Sequence, residues 1–416
     1  MKDYLKKWVK NFGDHTLLFL RWLILGLLLG VVGGFVGALF SKSVAWVTDV
    51  RAEHSWLVFL LPLGGLLTVA IYKLCRISGI GTNQVFESVR GEKAVSPLLA
   101  PAVFICSCIS HLFGASVGRE GAALQLGGSV ASLAGKIFRL DEKSQHVITM
   151  CGMGAFFSAI FGTPLGAFVF AIEVVCVGHF SSAAIFPGLI SSVTSFFVAH
   201  NLGAETERFP LSEVPELSLK SLGLSLLIAL VGALVSALFC YALHYTSKAF
   251  SKWFKNEYLK VAVGGALIAL LTVAVGSGDY DGGGIDVIMR IFESGEVRYE
   301  AFVLKILFTA IAVAAGYKGG EIIPTLFIGA TLGGALGLLL GVSPAFCAAL
   351  GMAALFCGVT NCPIATVILC IEMFGAEGSI YFALAAITSF LLSGYVSLYS
   401  SQKLIFSKWC EELRQN

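Results

Sequence analysis

Long apolar stretches without charge, broken by short polar segments, dominate the chain. No charged residue occurs in 22–41, 94–118, 147–172, 221–247 or 378–402, and 322–371 runs for 50 residues without one. A helix crossing a bilayer needs about 20 apolar residues, so the 50-residue run holds at least two passes. Polarity does not alternate residue by residue within the runs, which argues against barrel strands and predicts helices. Polar segments at 73–93, 138–145, 205–220, 248–260 and 276–299 separate them. The segment 205–220, with Pro210 and Pro215, falls mid-chain and reads as a linker between a first membrane repeat (17–204) and a second (221–401).

Composition fits this reading. Hydrophobic residues make up 57% of the 416 positions and charged residues 13%, more apolar surface than a soluble chain can cover. Disorder, a secreted disulfide scaffold and a nucleic-acid partner are excluded together, the last because the net charge is only +2. The 11 cysteines sit mostly in apolar runs and form no CxxC pair, so neither a metal centre nor a cofactor is expected. Residues 1–16 carry Lys2, Lys6, Lys7 and Lys10, with Leu5, Trp8, Val9 and Phe12 on one helical face. They read as an interfacial amphipathic helix on the cytoplasmic side. The tail 402–416, with Lys403, Lys408 and Arg414, is expected on the same side.

The halves share a text. Gly152, Pro164 and Glu173 recur as Gly351, Pro363 and Glu372, each 199 residues later. Just upstream, Gly118-Arg-Glu-Gly121 matches Gly319-Gly-Glu-Ile322 with a small slip. Two such halves are the signature of a transporter or channel with its site at the repeat interface. Glu173 and Glu372 read as structural groups at helix ends.

Three glycine-rich breaks interrupt apolar sequence: Gly79, Ile80, Gly81, Thr82 and Asn83; Gly118, Arg119, Glu120 and Gly121; and Gly319, Gly320, Glu321 and Ile322, with Pro324 just beyond. Each precedes a helix-like run, so each can present a helix N-terminus, an anion site, at membrane depth. One break alone would be ordinary small-residue packing; three, two with a carboxylate, point to function. A carboxylate in a membrane segment is costly. Ionised, Glu120 can occupy an anion site; protonated, it gains nothing there and can leave, which couples anion and proton movement. Arg119 reads as its local partner. A competing reading is an intramembrane serine hydrolase, since Gly114-Ala-Ser116-Val-Gly118 fits GxSxG with His111 nearby. That motif needs a strand–turn–helix elbow, which an all-helical context does not supply.

These residues resemble the CLC family of anion channels and proton-coupled antiporters. Gly118-Arg-Glu-Gly121, followed by Gln125, Gly127 and Gly128, is similar to the family's GREGP helix start. The segment from Gly319 to Pro324 is similar to its GGxFxP motif, and Tyr399 to its late pore tyrosine. The departures are specific: Ile80 and Asn83 stand where the family has the serine and proline of GSGIP, Ala122 replaces the proline of GREGP, Ile322 replaces the filter phenylalanine, and Glu321 is an added acid. Gly316-Tyr-Lys-Gly-Gly-Glu321 and Asn83 resemble the fluoride/proton antiporter branch. The resemblance implies an all-α polytopic membrane protein of CLC type, two inverted-topology repeats with broken and tilted helices. It implies a homodimer in the bilayer of the cell (plasma or inner) membrane, with both termini cytoplasmic. It further implies fluoride export against proton entry, with chloride/proton antiport or a passive chloride channel as the alternative. Glu120 and Glu321 would gate and couple protons. Gly79, Ile80, Gly81, Thr82, Asn83, Gly118, Arg119, Gly121, Gly320, Ile322 and Tyr399 would line the anion path. No enzymatic role is implied.

Overall fold

A computed structural model of the chain describes residues 2–77, 81–209, 211, 213–405 and 407–409. The first half comprises α1 (Lys2–Glu53), α2 (Leu61–Leu74), α3 (Gly81–Val89), α4 (Leu99–Leu112), α5 (Glu120–Ile137), α6 (Glu142–Phe161), α7 (Pro164–Glu173) and α8 (Ile185–Asn201). The second comprises α9 (Leu219–Trp253), α10 (Glu257–Val275), α11 (Ile285–Ser294), α12 (Ala301–Ala315), α13 (Ile322–Leu340), α14 (Pro344–Thr360), α15 (Pro363–Phe374) and α16 (Ser379–Leu392). Seven of the described helical spans are long and apolar enough to cross a membrane. Others, such as α7 and α15, are too short, as broken helices are. Leu and Phe side chains stand exposed along α1, α9 and α10, while α6 and α13 are buried among other helices. Apolar outside as well as inside is the arrangement a bilayer permits.

The repeat is carried residue by residue. α6 ends on Gly162 and α14 on Asn361, both left-handed with φ of 79° and 57°. Each is followed by a proline-led helix, where the missing N–H costs nothing. Glu372 accepts the free N–H groups of Leu165 (2.9 Å) and Gly166 (2.7 Å) at the start of α7. Glu173 does the same for Ile364 (3.2 Å) and Ala365 (2.8 Å) at the start of α15. The glutamates are thus structural, as expected, and each serves the other half. α5 crosses α6 at Gly127 and Gly152, where a Cβ on either would press into the other's backbone; Gly329 and Gly351 repeat the crossing between α13 and α14.

The slip upstream is larger than the sequence suggests. Gly118 pairs with Gly320 in a reciprocal antiparallel bridge, and α5 and α13 begin two residues after their respective glycines. Glu120 is therefore the counterpart of Ile322, and Glu321 that of Arg119; the two acids are not equivalent. The antiparallel pairing also shows equivalent segments running in opposite directions, as inverted repeats require.

Other expected boundaries look different. α1 runs unbroken through residues 16 and 17. Segment 205–220 is no passive linker: Glu207 and Phe209 are buried in it, and Phe209 N–H donates to Met373 O (3.0 Å). In the tail, Lys403–Leu404 (β2) pairs in parallel with Cys176–Val177 (β1), a two-residue exception to an otherwise helical fold. Pro210, Phe406 and residues 410–416 lie outside the described residues.

Candidate functional site

The breaks before α5 and α13 meet back to back. Gly118 N–H donates to Gly320 O and Gly320 N–H to Gly118 O, both at 2.6 Å. A Cβ on Gly121 would lie 2.7 Å from Gly320 Cα, so only glycine permits the approach. The N–H groups of Gly118 and Gly320, expected to face an anion, are thus spent on each other. What stays available are the first-turn N–H groups of the two helices.

Glu120 opens α5 and is fully buried, and neither carboxylate oxygen has a hydrogen bond. Arg119 does not hold it: Nε stands 3.8 Å from Oε1, while the terminal nitrogens bind Glu207 Oε1 (2.6 Å) and Ser41 Oγ (3.1 Å). Arg119, expected as the local partner of Glu120, chiefly binds Glu207 instead. Glu321 occupies the position before α13 without a side-chain cap bond and is partly buried, and no described cation pairs with it. Lys318, its nearest cation in sequence, instead stands 4.3 Å from the Tyr72 ring centroid. Ile322 is fully buried.

Tyr399 reaches the same place from the chain's far end. Its hydroxyl is buried without a partner, and its ring meets Phe86 edge-on at 5.0 Å. Beside it, Gly81 opens α3 at φ 42°, and Gln125 Nε2 donates to Thr82 Oγ1 and Gly121 O, both 3.2 Å. Asn83 Oδ1 accepts from Ser401 N–H (3.0 Å) and Ser401 Oγ (2.8 Å). Because a backbone N–H can only donate, the orientation of the amide is fixed, and its NH₂ is turned elsewhere as a donor. Gly79 and Ile80 lie outside the described residues. Arg90 donates to Ser401 O (2.7 Å). On the exposed side of this clip, hydrogen bonds from Arg90 and Lys403 hold the Glu92 carboxylate at about 2, so the clip stays ionised at any ordinary pH.

Several of these residues were not singled out from sequence. Glu207 and Ser401 sit in polar or terminal text where such side chains are commonplace. Lys305 is buried with its ammonium on the carbonyls of Tyr280 (3.1 Å) and Gly282 (2.8 Å). It shapes the loop that also brings Asp281 to Arg51. That loop lines a cavity of about 270 Å³ that reaches Gly118, Arg119 and Ile323. Ser116 bonds Thr309 Oγ1 (3.0 Å) and His111 Nδ1 bonds Ser107 O (2.8 Å). The motif that suggested a hydrolase therefore serves helix packing.

The family model for voltage gated chloride channels matches residues 64–394. The chain belongs to this family, the CLC family of anion transport proteins. A chloride/fluoride channel protein of Pseudomonas syringae pv. tomato is 34% identical over 396 residues, 93% of this chain and 87% of that one. An H(+)/Cl(-) exchange transporter of Vibrio cholerae is 28% identical over 387 residues, covering 84% and 81%. Among solved structures, a CLC-type fluoride/proton antiporter superposes with a TM-score of 0.88 at 30% identity, covering 92% of this chain and 98% of that one. A slow cyanobacterial Cl-/H+ antiporter gives 0.77 at 21% identity, covering 90% and 94%. This CLC protein is thus a multi-pass membrane protein with the inverted-repeat fold.

Proposed function

We propose that this CLC protein exports fluoride in exchange for protons, as a homodimer in the cell membrane with one pathway per subunit and both termini cytoplasmic. The observation that carries the reading is Glu120, fully buried at the start of α5 where the two glycine breaks meet, with neither carboxylate oxygen in a hydrogen bond. Likeness to the Pseudomonas protein and to the fluoride/proton antiporter supports fluoride. Fluoride is small and strongly hydrated, so it needs several short donor contacts; Thr82, the Asn83 amide, Tyr399 and first-turn N–H groups can supply them. Ionised Glu120 occupies the anion position. When it takes a proton it withdraws, an anion enters, and release of the proton on the other side completes the exchange. Chloride/proton exchange is the second reading, favoured by the Vibrio relative.

Fluoride and chloride efflux from proteoliposomes, with pH recorded, tests this. Fluoride efflux faster than chloride and linked to proton uptake is expected. Glu321→Gln should leave a folded protein that exchanges poorly, because no ion pair is broken. Near-normal exchange would remove Glu321 from transport, and matching losses of fold and flux would make it structural. Chloride efflux as fast as fluoride would favour the second reading.

Ser401→Ala removes the hydroxyl bond to Asn83 but keeps the backbone one. A neutral hydrogen bond is worth about 0.5–1.5 kcal/mol of stability, so the mutant should lose about that much and, with the Asn83 amide loosened, show a raised apparent KM for fluoride. Saturation curves on the mutant check it.

A further inference from the structure

Tyr399 lies on a non-helical stretch between α16 and β2. Its hydroxyl has no hydrogen bond of its own, so where it points depends on how the backbone around it is fastened. The ends of two helices fasten it. Leu398 N–H donates to Val359 O (3.0 Å) in the last turn of α14, and the N–H groups of Lys403 and Ile405 donate to Val175 O (3.4 Å) and Val177 O (3.1 Å) just beyond α7. Gln402 Nε2 donates to both ends, to Thr360 O (2.7 Å) and to Val174 O (2.9 Å).

Asn361 ends α14 in the left-handed conformation, a demand that Gly162 meets at the end of α6 with no side chain at all. The turn therefore does not need an asparagine. The Asn361 side chain is fully buried and wholly engaged elsewhere: Nδ2 donates to Val396 O (3.1 Å) and Gln402 Oε1 (3.2 Å), and Oδ1 accepts from Lys408 Nζ (2.5 Å). An ammonium can only donate, which fixes both amides. Lys408 gives to Asn361, Asn361 to Gln402, and Gln402 to the helix-end carbonyls. Each bond in such a chain polarises the next. Lys408 itself has no carboxylate partner among the described residues. Its ammonium sits in a socket at the end of α16, on Phe390 O (2.7 Å), Gly394 O and Ser393 Oγ (3.3 Å), 4.5 Å from the centroid of the Phe390 ring. The negative end of α16 accounts for a lysine there. It does not account for the buried amide that ties this lysine to the stretch around Tyr399.

We propose that Lys408, Asn361 and Gln402 are positioning residues for the anion path: their directed chain of hydrogen bonds sets where the Tyr399 hydroxyl stands, and so sets affinity for a small anion. They act through Tyr399 and not on the anion. A tyrosine is a long lever, so slack in residues 396–402 is magnified at its hydroxyl, and short contacts to a small, strongly hydrated anion tolerate little misplacement. The Lys408 ammonium works as a tethered cation. The oxygens and ring around it would take a free ammonium ion once the tether is cut, and the half-buried position of Lys408 lets one in from solvent.

The inference rests on the transport reading in placing Tyr399 at the anion, and the experiment separates the two. Fluoride and chloride are titrated calorimetrically into the purified full chain in a choline buffer, with melting temperature read on the same samples. Lys408→Ala should weaken fluoride binding roughly three- to tenfold, as a displaced donor to a charged group does. Ammonium should restore it, tetramethylammonium should not, and neither should move the wild type. Asn361→Gly keeps the left-handed turn and cuts the chain in its middle; it should weaken binding as much, with no rescue by ammonium. With Tyr399→Phe already in place, Lys408→Ala should weaken binding little further. Wild-type affinity in both Lys408→Ala and Asn361→Gly would overturn the proposal. So would a lower melting temperature with affinity unchanged, which is what a plain anchor gives, or a loss in Lys408→Ala that ammonium leaves in place. Losses that add in full to that of Tyr399→Phe would overturn it too. Should Lys408→Ala not fold, Asn361→Gly alone and with Tyr399→Phe gives the same decision. Were the wild type to bind chloride and not fluoride, the same series read on chloride would still test the chain, while the fluoride reading alone would fall.

Discussion

Glu120→Gln is expected to abolish proton movement driven by a fluoride gradient while leaving the protein folded. An amide neither releases a proton nor acts as a competing anion, so it cannot take the two states that couple the fluxes. The structural cost should be small, because neither Glu120 oxygen has a hydrogen bond to lose and the shape is kept. Fluoride movement itself should survive uncoupled or be slowed. The measurement is external pH during fluoride efflux, with melting temperature on the same preparation. Proton flux equal to wild type would reject Glu120 as the coupling group.

Glu207→Gln is expected to fail differently. Glu207 and Arg119 form a buried pair at 2.6 Å between residues 88 positions apart. Breaking such a pair by removing one partner costs about 3–5 kcal/mol. The guanidinium freed in this way sits 3.8 Å from Glu120 Oε1, and turning to it would pin the carboxylate that must swing. Lower melting temperature and slow exchange should therefore appear together. Removing the charge as well, in Glu207→Gln with Arg119→Gln, should recover part of both. Wild-type stability and rate in the single mutant would show that Ser41 and the backbone hold Arg119 unaided.

The carboxylates Glu120 and Glu321 were legible in the sequence because charge at membrane depth is conspicuous, and Tyr399 through family likeness. The Pro–Glu spacing was legible because both copies keep it without a gap. Register at the glycine breaks was not. Gly-Arg-Glu against Gly-Gly-Glu aligns best by letters, whereas the Gly118–Gly320 bridge sets one residue more between the copies. Glu207 and Ser401 were missed because their importance comes from partners 88 and 318 residues away, and no local periodicity encodes such a meeting. Lys318 is the cation nearest Glu321 in sequence, yet the turn between them sends its side chain to Tyr72.

The crossed caps on α7 and α15 bear on ancestry. Each proline-led helix takes its carboxylate from the opposite half, through bonds that match atom for atom. A half-chain made alone would leave those N–H groups bare, yet two copies of one half, inserted in opposite senses, would cap each other. The arrangement is the one that two identical subunits facing opposite ways would make, with the glutamates as their mutual contacts. Two separately encoded halves, made together, should still find each other through those four bonds.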